Sequence, residues 1–139
     1  MERYELIIVG GGMSGLTLLA SIHPAIKQGL SVAIIDPAKL ETPIVSISPS
    51  FDDRATALSA QAIDSLKALD INNLEAALTS IKTIEVSDMG HAGYHTMKPE
   101  NPTVSRFGGV ISNRAFGECL RHHTAGIPAA HFNDTVVSG

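Results

Sequence analysis

A cluster of glycines at positions 10, 11, 12 and 15 constrains this chain more than any other feature, because of what flanks it. Tyr4–Val9 is a short continuous apolar run and reads as a buried parallel strand. Ser14–Gln28 carries Leu16, Leu18, Leu19, Ile22 and Ile26 near helical spacing. Gly29 is its expected C-cap, and Pro24 is expected to kink its last turn. Ser31–Asp36, closed by Pro37, reads as a second buried strand. Strand, helix and strand in so short a space make a βαβ unit, whose crossover should be right-handed.

The glycines form G-x-G-x-x-G at Gly10, Gly12 and Gly15. That spacing is weak alone, but directly after a strand and opening a helix it stands in the context a dinucleotide requires. Gly10 permits the tight turn, Gly12 lets a pyrophosphate approach the backbone, and Gly15 lets helix and strand pack closely. Backbone N–H groups and the helix dipole at Met13 and Ser14 then face the phosphates. Asp36 ends the second strand about 20 residues further on, where a carboxylate accepts hydrogen bonds from ribose hydroxyls and repels a 2′-phosphate. The same Asp36 has a plainer reading, a solvent-facing residue before a proline turn.

Downstream, residues 37–58 look irregular, with Pro37, Pro43 and Pro49. Ser59 is the expected N-cap of a helix through Leu69, with Ile63, Leu66 and Leu69 on one face. Asn72 or Asn73 caps a short helix to Leu78. Ile81–Ser87 alternates as a strand, Asp88–Gly93 is a turn, and Tyr94–Met97 is the returning strand. Phe107–Ser112 is another strand, and Asn113 caps a helix to about His123. His131–Phe132 and Thr135–Val137 are terminal strand candidates. In Ser50–Ser59 one arginine, Arg54, sits just before a helix. If the loop returns toward the glycine turn, Arg54 pairs with the pyrophosphate; otherwise it is a surface ion pair with Asp52 or Asp53.

The glycine motif together with Phe51-Asp52-x-Arg54-x-x-Ala57-Leu58-Ser59 resembles the FAD-dependent aromatic hydroxylases of the p-hydroxybenzoate hydroxylase type. Within them the chain is most similar to the ubiquinone-biosynthesis hydroxylases. The run Val86-Ser87-Asp88-Met89-Gly90-His91-Ala92-Gly93-Tyr94 carries that narrower likeness. The resemblance covers nearly the whole chain. It implies FAD as cofactor, with Gly10, Gly12 and Gly15 at the pyrophosphate, Asp36 at the adenosine ribose, and Arg54 on the pyrophosphate side of the flavin. It also implies FAD contacts at Asn113, with Arg114 as the near alternative, and backbone contact with the adenine at Val136 and Val137. NAD(P)H is implied as co-substrate and a prenylated phenol as substrate.

Two later motifs of that family, an Asp-Gly motif and a Gly-Asp motif with a proline-rich flavin loop, do not occur in these 139 residues. The chain is therefore expected to be the N-terminal part of an enzyme, inactive alone. Residues 1–79 and 113–139 would belong to a truncated α/β, Rossmann-like FAD-binding domain with a parallel sheet. Residues 80–112 would begin a substrate-domain β-sheet. No residue reads as a catalytic acid or base. Open alternatives are an FAD hydroxylase of another aromatic ring, an NAD-dependent dehydrogenase, and a non-catalytic module.

Composition adds exclusions. With 44% hydrophobic and 17% charged residues, a net charge of −4 and no consecutive Lys or Arg, nucleic acid is not an expected partner. The single cysteine, Cys119, excludes an intrachain disulfide and reads as a small core residue. No stretch approaches the roughly 18 apolar residues of a membrane span. The expectation is a cytoplasmic protein, peripheral at the inner membrane or in a biosynthetic complex, whose exposed sheet edge favours self-association. His91 and His95 are four apart, but Gly90 and Gly93 argue against a helix and no ligand set is completed, so no metal is expected. His91 has one alternative, resting on the resemblance, as a wall of the aromatic pocket. His122 and His123 read as a solvated helix end.

Overall fold

A computed structural model describes residues 2–38, 51–71, 73–88, 90, 93–99 and 105–137. Its first element, β1 (Leu6–Val9), leads into the glycine turn and then α1 (Met13–Ser21). The expected single helix to Gln28 is two helices, because α2 (His23–Lys27) starts afresh after Ile22. Pro24 has no N–H and its ring clashes with the preceding turn. The chain therefore breaks at Ile22 (φ −91°, ψ 1°) and places the proline in the first turn of α2, where no donor is lost. Gly29 (φ 108°) ends α2 as expected. Its N–H donates to Ile26 O at 3.0 Å, and the Leu30 N–H donates to Ala25 O at 3.1 Å, which satisfies two otherwise orphaned carbonyls.

The return strand β2 (Val32–Ile35) pairs parallel with β1, from Leu6 opposite Val32 to Val9 opposite Ile35. Its residues are all apolar, as a strand covered on both faces requires.

The next strand, β3 (Ala55–Ser59), lies where the sequence looks irregular. Ala55 and Ala57 have little strand preference; pairing with a later strand decides the conformation, as tertiary context often does for β-structure. Residues 39–50 lie outside the described residues. The segment continues into α3 (Ala60–Ala68), where Ser59 Oγ accepts from the Ala62 N–H at 3.1 Å, and into α4 (Leu74–Ala77), led by Asn73. The expected strand Ile81–Ser87 divides into β4 (Thr79–Ile81) and β5 (Ile84–Ser87). Its alternating pattern runs through Lys82 and Thr83, where the chain leaves one sheet for another.

β5 pairs antiparallel with β6 (Tyr94–Met97) in a separate two-stranded sheet. β7 (Gly108–Ser112) is the centre of an antiparallel sheet ordered β3-β7-β4, so residues 55–59 and 79–81 share a sheet with 108–112. The last helix, α5 (Asn113–Thr124), is capped by Ser112, not Asn113: Ser112 Oγ accepts from the Ala115 N–H at 3.2 Å. Ser112 keeps the extended backbone a cap needs (φ −68°, ψ 144°), and Asn113 is the first helical residue.

β8 (Ala130–Phe132) then joins β2 in parallel, which completes a sheet ordered β1-β2-β8. Thr135–Val137 is not a strand. The chain turns at Asp134 (φ 53°), and the Thr135 N–H donates to Asp36 O at 3.2 Å.

One core joins these parts. Leu16 and Leu19 of α1, Ile34 of β2, Leu120 of α5 and Phe51 are all within 1% of complete burial. Each such side chain stabilises the fold by about 1.5–3 kcal/mol. The fold is thus mixed α/β: α1 packs against β1 of the parallel sheet, and α5 packs against α1 and against β7 of the three-stranded antiparallel sheet.

Candidate functional site

The glycine turn opens into a cleft of about 340 Å³, lined by Val9, Gly10, Gly12, Met13, Ser14, Gly15, Arg54 and Asn113. Gly10 holds φ at 103°, a conformation that disfavours side chains, and its N–H extends the sheet to Ile35 O at 2.8 Å. Gly15 faces the Gly10 carbonyl so closely that a Cβ would stand 1.9 Å from its oxygen. Any other residue there forces α1 off β1.

Gly12 is the N-cap of α1 in extended conformation, and among the described residues no side chain caps this helix. The first turn also carries no acidic residue. The positive end of the α1 dipole therefore faces the cleft uncompensated by a carboxylate from its own first turn.

Asp36 stands at the end of β2 as the spacing predicts. Its Oδ2 accepts from the Gly11 N–H at 2.5 Å and its Oδ1 from the Ala38 N–H at 2.7 Å. The carboxylate thus ties the glycine turn to the neighbouring strand. Two oxygens offer about four acceptor sites, so these two bonds leave capacity for a ribose hydroxyl.

Arg54 forms the surface ion pair and also stands beside the glycine turn. It lines the cleft, and its Nε also donates to Asp52 Oδ2 at 2.5 Å, with the Arg54 side chain 76% exposed. Asn113 also lines the cleft but is buried. Its Nδ2 donates to Asp52 Oδ1 at 3.0 Å, and its Oδ1 accepts from the Thr56 hydroxyl at 2.5 Å. Arg114 is drawn away from the cleft lining to Asp53, with Nε to Oδ1 at 2.9 Å. That bond and the charge of Arg114 hold the Asp53 carboxyl below its usual range. Val136 lies 76% exposed beyond β8 and is not among the cleft-lining residues. His91 lies outside the described residues. His95 is exposed on β6, and Cys119 is buried in the core, where burial raises its thiol pKa.

The two helix N-termini near the cleft differ in kind. At α5 the first three donors are spent: Asn113 N–H on Arg54 O (2.8 Å), Arg114 N–H on Asp52 O (3.1 Å), and Ala115 N–H on Ser112 Oγ. Among the described residues, α1 alone of the two has no side-chain cap.

Sequence inspection names Asp52 and Phe51 but misses the distant residues that fix them. Phe51 is 1% exposed and occupies the space left by Gly117, where a Cβ would fall 2.3 Å from its ring. The Arg121 guanidinium stands 4.9 Å from the centre of the same ring. These partners are more than 60 positions away, so no local spacing announces them.

No protein-family model matches the chain. Its fold is similar to solved structures. One is a p-nitrophenol 4-monooxygenase from Pseudomonas putida (TM-score 0.68, 16% identity), matched over 96% of this chain and 33% of that one. Another is a geranylgeranyl bacteriochlorophyll reductase-like protein from Thermoplasma acidophilum (TM-score 0.64, 19% identity), over 100% and 33% respectively. A third is a Diels-Alderase from the biosynthetic pathway of pyrroindomycins (TM-score 0.62, 16% identity), over 96% and 26%. The chain thus spans a third or less of the length of each. At these identities the likeness is one of fold: this mixed α/β arrangement is shared with part of a monooxygenase and part of a reductase-like protein.

Proposed function

We propose that this chain forms the nucleotide half of an FAD site in a flavin-dependent monooxygenase, within a Rossmann-like domain. The observation that carries this reading is convergence. The N-terminus of α1, the glycine turn and Arg54 line one cleft, and Asp36 is bonded to that turn at the Gly11 N–H. The residues fit the group. Met13 and Ser14 would hold the pyrophosphate with backbone N–H groups, Gly12 would admit it, Asp36 would accept from the adenosine ribose, and Arg54 would pair with a phosphate. When bound and reduced by NAD(P)H, the flavin supplies the oxygen chemistry that hydroxylates an aromatic ring.

The substrate we propose is a prenylated phenol of ubiquinone biosynthesis, as for a 2-octaprenyl-6-methoxyphenol hydroxylase. The support is the sequence resemblance of residues 51–59 and 86–94. Among the described residues no helix is long and apolar enough to cross a membrane. A greasy substrate would be met by peripheral association with the inner membrane from the cytoplasmic side, or within a biosynthetic complex.

Calorimetric titration of the chain with ADP, FAD and NAD tests the reading. ADP and FAD should bind saturably. Asp36→Ala should weaken ADP about tenfold or more, because a hydrogen bond to a charged acceptor contributes about 1.5–3 kcal/mol. A chain that binds none of the three refutes the reading, and one that prefers NAD to FAD points to a dehydrogenase.

A further inference from the structure

Segment 51–54 is fastened to α5 without the Arg54 side chain. The carbonyls of Asp52 and Arg54 accept the first two N–H groups of α5, and the Phe51 ring fills the space beside Gly117. The buried Asn113 amide, itself fixed by the Thr56 hydroxyl, donates to Asp52 Oδ1. The carboxylate of Asp52 is therefore placed by the fold. It then takes hold of Arg54 twice: Oδ1 accepts the Arg54 backbone N–H at 3.0 Å, and Oδ2 accepts Nε–H at 2.5 Å. Partial burial raises the Asp52 carboxyl, but the hydrogen bonds from Arg54 and Asn113, with the charge of Arg54, outweigh it and leave the pKa lowered.

We propose that Asp52, oriented by Asn113, is a positioning residue that holds the Arg54 guanidinium at the cleft mouth, aimed for the diphosphate of a nucleotide. This rests on the nucleotide reading above. Two effects of Asp52 oppose each other. Its negative charge repels a phosphate, while its grip on Nε restricts the rotamers of a long, exposed side chain. The repulsion acts through solvent and is screened by salt. The fixing acts at the bond, and it spares a planar donor fork the ordering cost of binding. On this proposal preorganisation is the larger effect, and the sign of the Asp52→Asn effect on ADP decides it. On this account Asn113, whose amide bonds Asp52 and Thr56, serves the ligand through the loop.

The test titrates ADP and adenosine into the full 139-residue chain and into Asp52→Ala, Asp52→Asn, Arg54→Ala and the Asp52→Ala/Arg54→Ala double variant. A thermal melt of each confirms folding. Asp52→Ala should weaken ADP about three- to tenfold, the cost of immobilising one long side chain, and leave adenosine unchanged. It should cost nothing more once Arg54 is alanine. Asp52→Asn, which preserves size, should give a loss of the same sign and carries the test if Asp52→Ala does not fold. In the ligand-free chain the Arg54 Nε–H resonance should be protected from exchange and lose that protection in Asp52→Asn.

Equal weakening of ADP and adenosine would mean that Asp52 only supports the loop, and overturns the proposal. Unchanged or tighter ADP binding in Asp52→Asn overturns it too, since Asp52 would then be competing with the phosphate. ADP binding that depends on Arg54 but not on Asp52 defeats the positioning role alone. A chain that binds no ADP defeats the nucleotide reading itself, and this proposal with it.

Discussion

At Gly15 the requirement is steric. A methyl group there would lie 1.9 Å from the Gly10 carbonyl oxygen, which is backbone and cannot rotate away. Gly15→Ala should therefore push α1 from β1, with a cost of about 1–3 kcal/mol for overpacking and a weaker ADP complex. Denaturant unfolding beside ADP titration checks both, and an unchanged midpoint would show that the turn relaxes freely. This residue, with Gly10, was legible because its meaning is local: strand, turn and helix are consecutive, and spacing alone states the geometry. Asp36 was half legible. Its place followed from the sequence, but its bonds to the Gly11 and Ala38 N–H groups did not. Asp52 was illegible for a different reason. Its partner Asn113 is 61 positions away, and Asp52-Asp53-Arg54 looks the same whether it is a surface ion pair or part of a site.

Two caps were read well, although Ser112 and not Asn113 caps α5. Ser59 and Gly29 end or begin helices as expected, because a side-chain oxygen or a positive φ acts within a few residues. Reading failed where pairing decides: Ala55–Ser59 is a strand only because β7 runs beside it, and one alternating run serves two sheets at β4 and β5. The contact between α3 and α4 yields a pH prediction. Glu75 of α4 pairs with Arg106 (Oε1 to Nη1, 2.5 Å) and with Lys67 of α3 (Oε2 to Nζ, 2.7 Å). The hydrogen bond from Arg106, then that from Lys67, pull its carboxyl from 4.5 down to about 2. A carboxylate with a depressed folded pKa contributes stability that is fully present above its unfolded value. That contribution is lost as the pH falls through the folded one. Glu75→Gln should therefore lower the melting temperature at pH 6, with the difference shrinking below pH 4.5 and vanishing near pH 2. Thermal melts of both proteins across that window check it. A difference that stays constant with pH would mean that the charge of Glu75 contributes nothing.

At the scale of the whole molecule, β1 is one edge of the parallel sheet among the described residues. There that edge has no strand partner on its outer side, and Ile7 of β1 and Leu18 of α1 are 52% and 45% exposed. Parallel strands are ordinarily covered on both faces, and an apolar edge strand is a template for another chain. The 139-residue protein is thus expected to self-associate through β1 as its concentration rises. Ile7 is the position to perturb, because it is exposed on β1 and lies outside the cleft lining, whereas Val9 belongs to the cleft. A lysine at position 7 keeps its charge in water while its stem covers the strand, and it opposes its own copy across any symmetric contact. Ile7→Lys should shift the sedimentation profile toward monomer and leave ADP affinity unchanged. If the variant associates as the parent does, the contact lies elsewhere, and the exposed hairpin residues Val86 and Tyr94 become the next surface to change. If it becomes monomeric but also loses ADP, then strand edge and cleft are coupled, and pairing at β1 is part of what holds the glycine turn in shape.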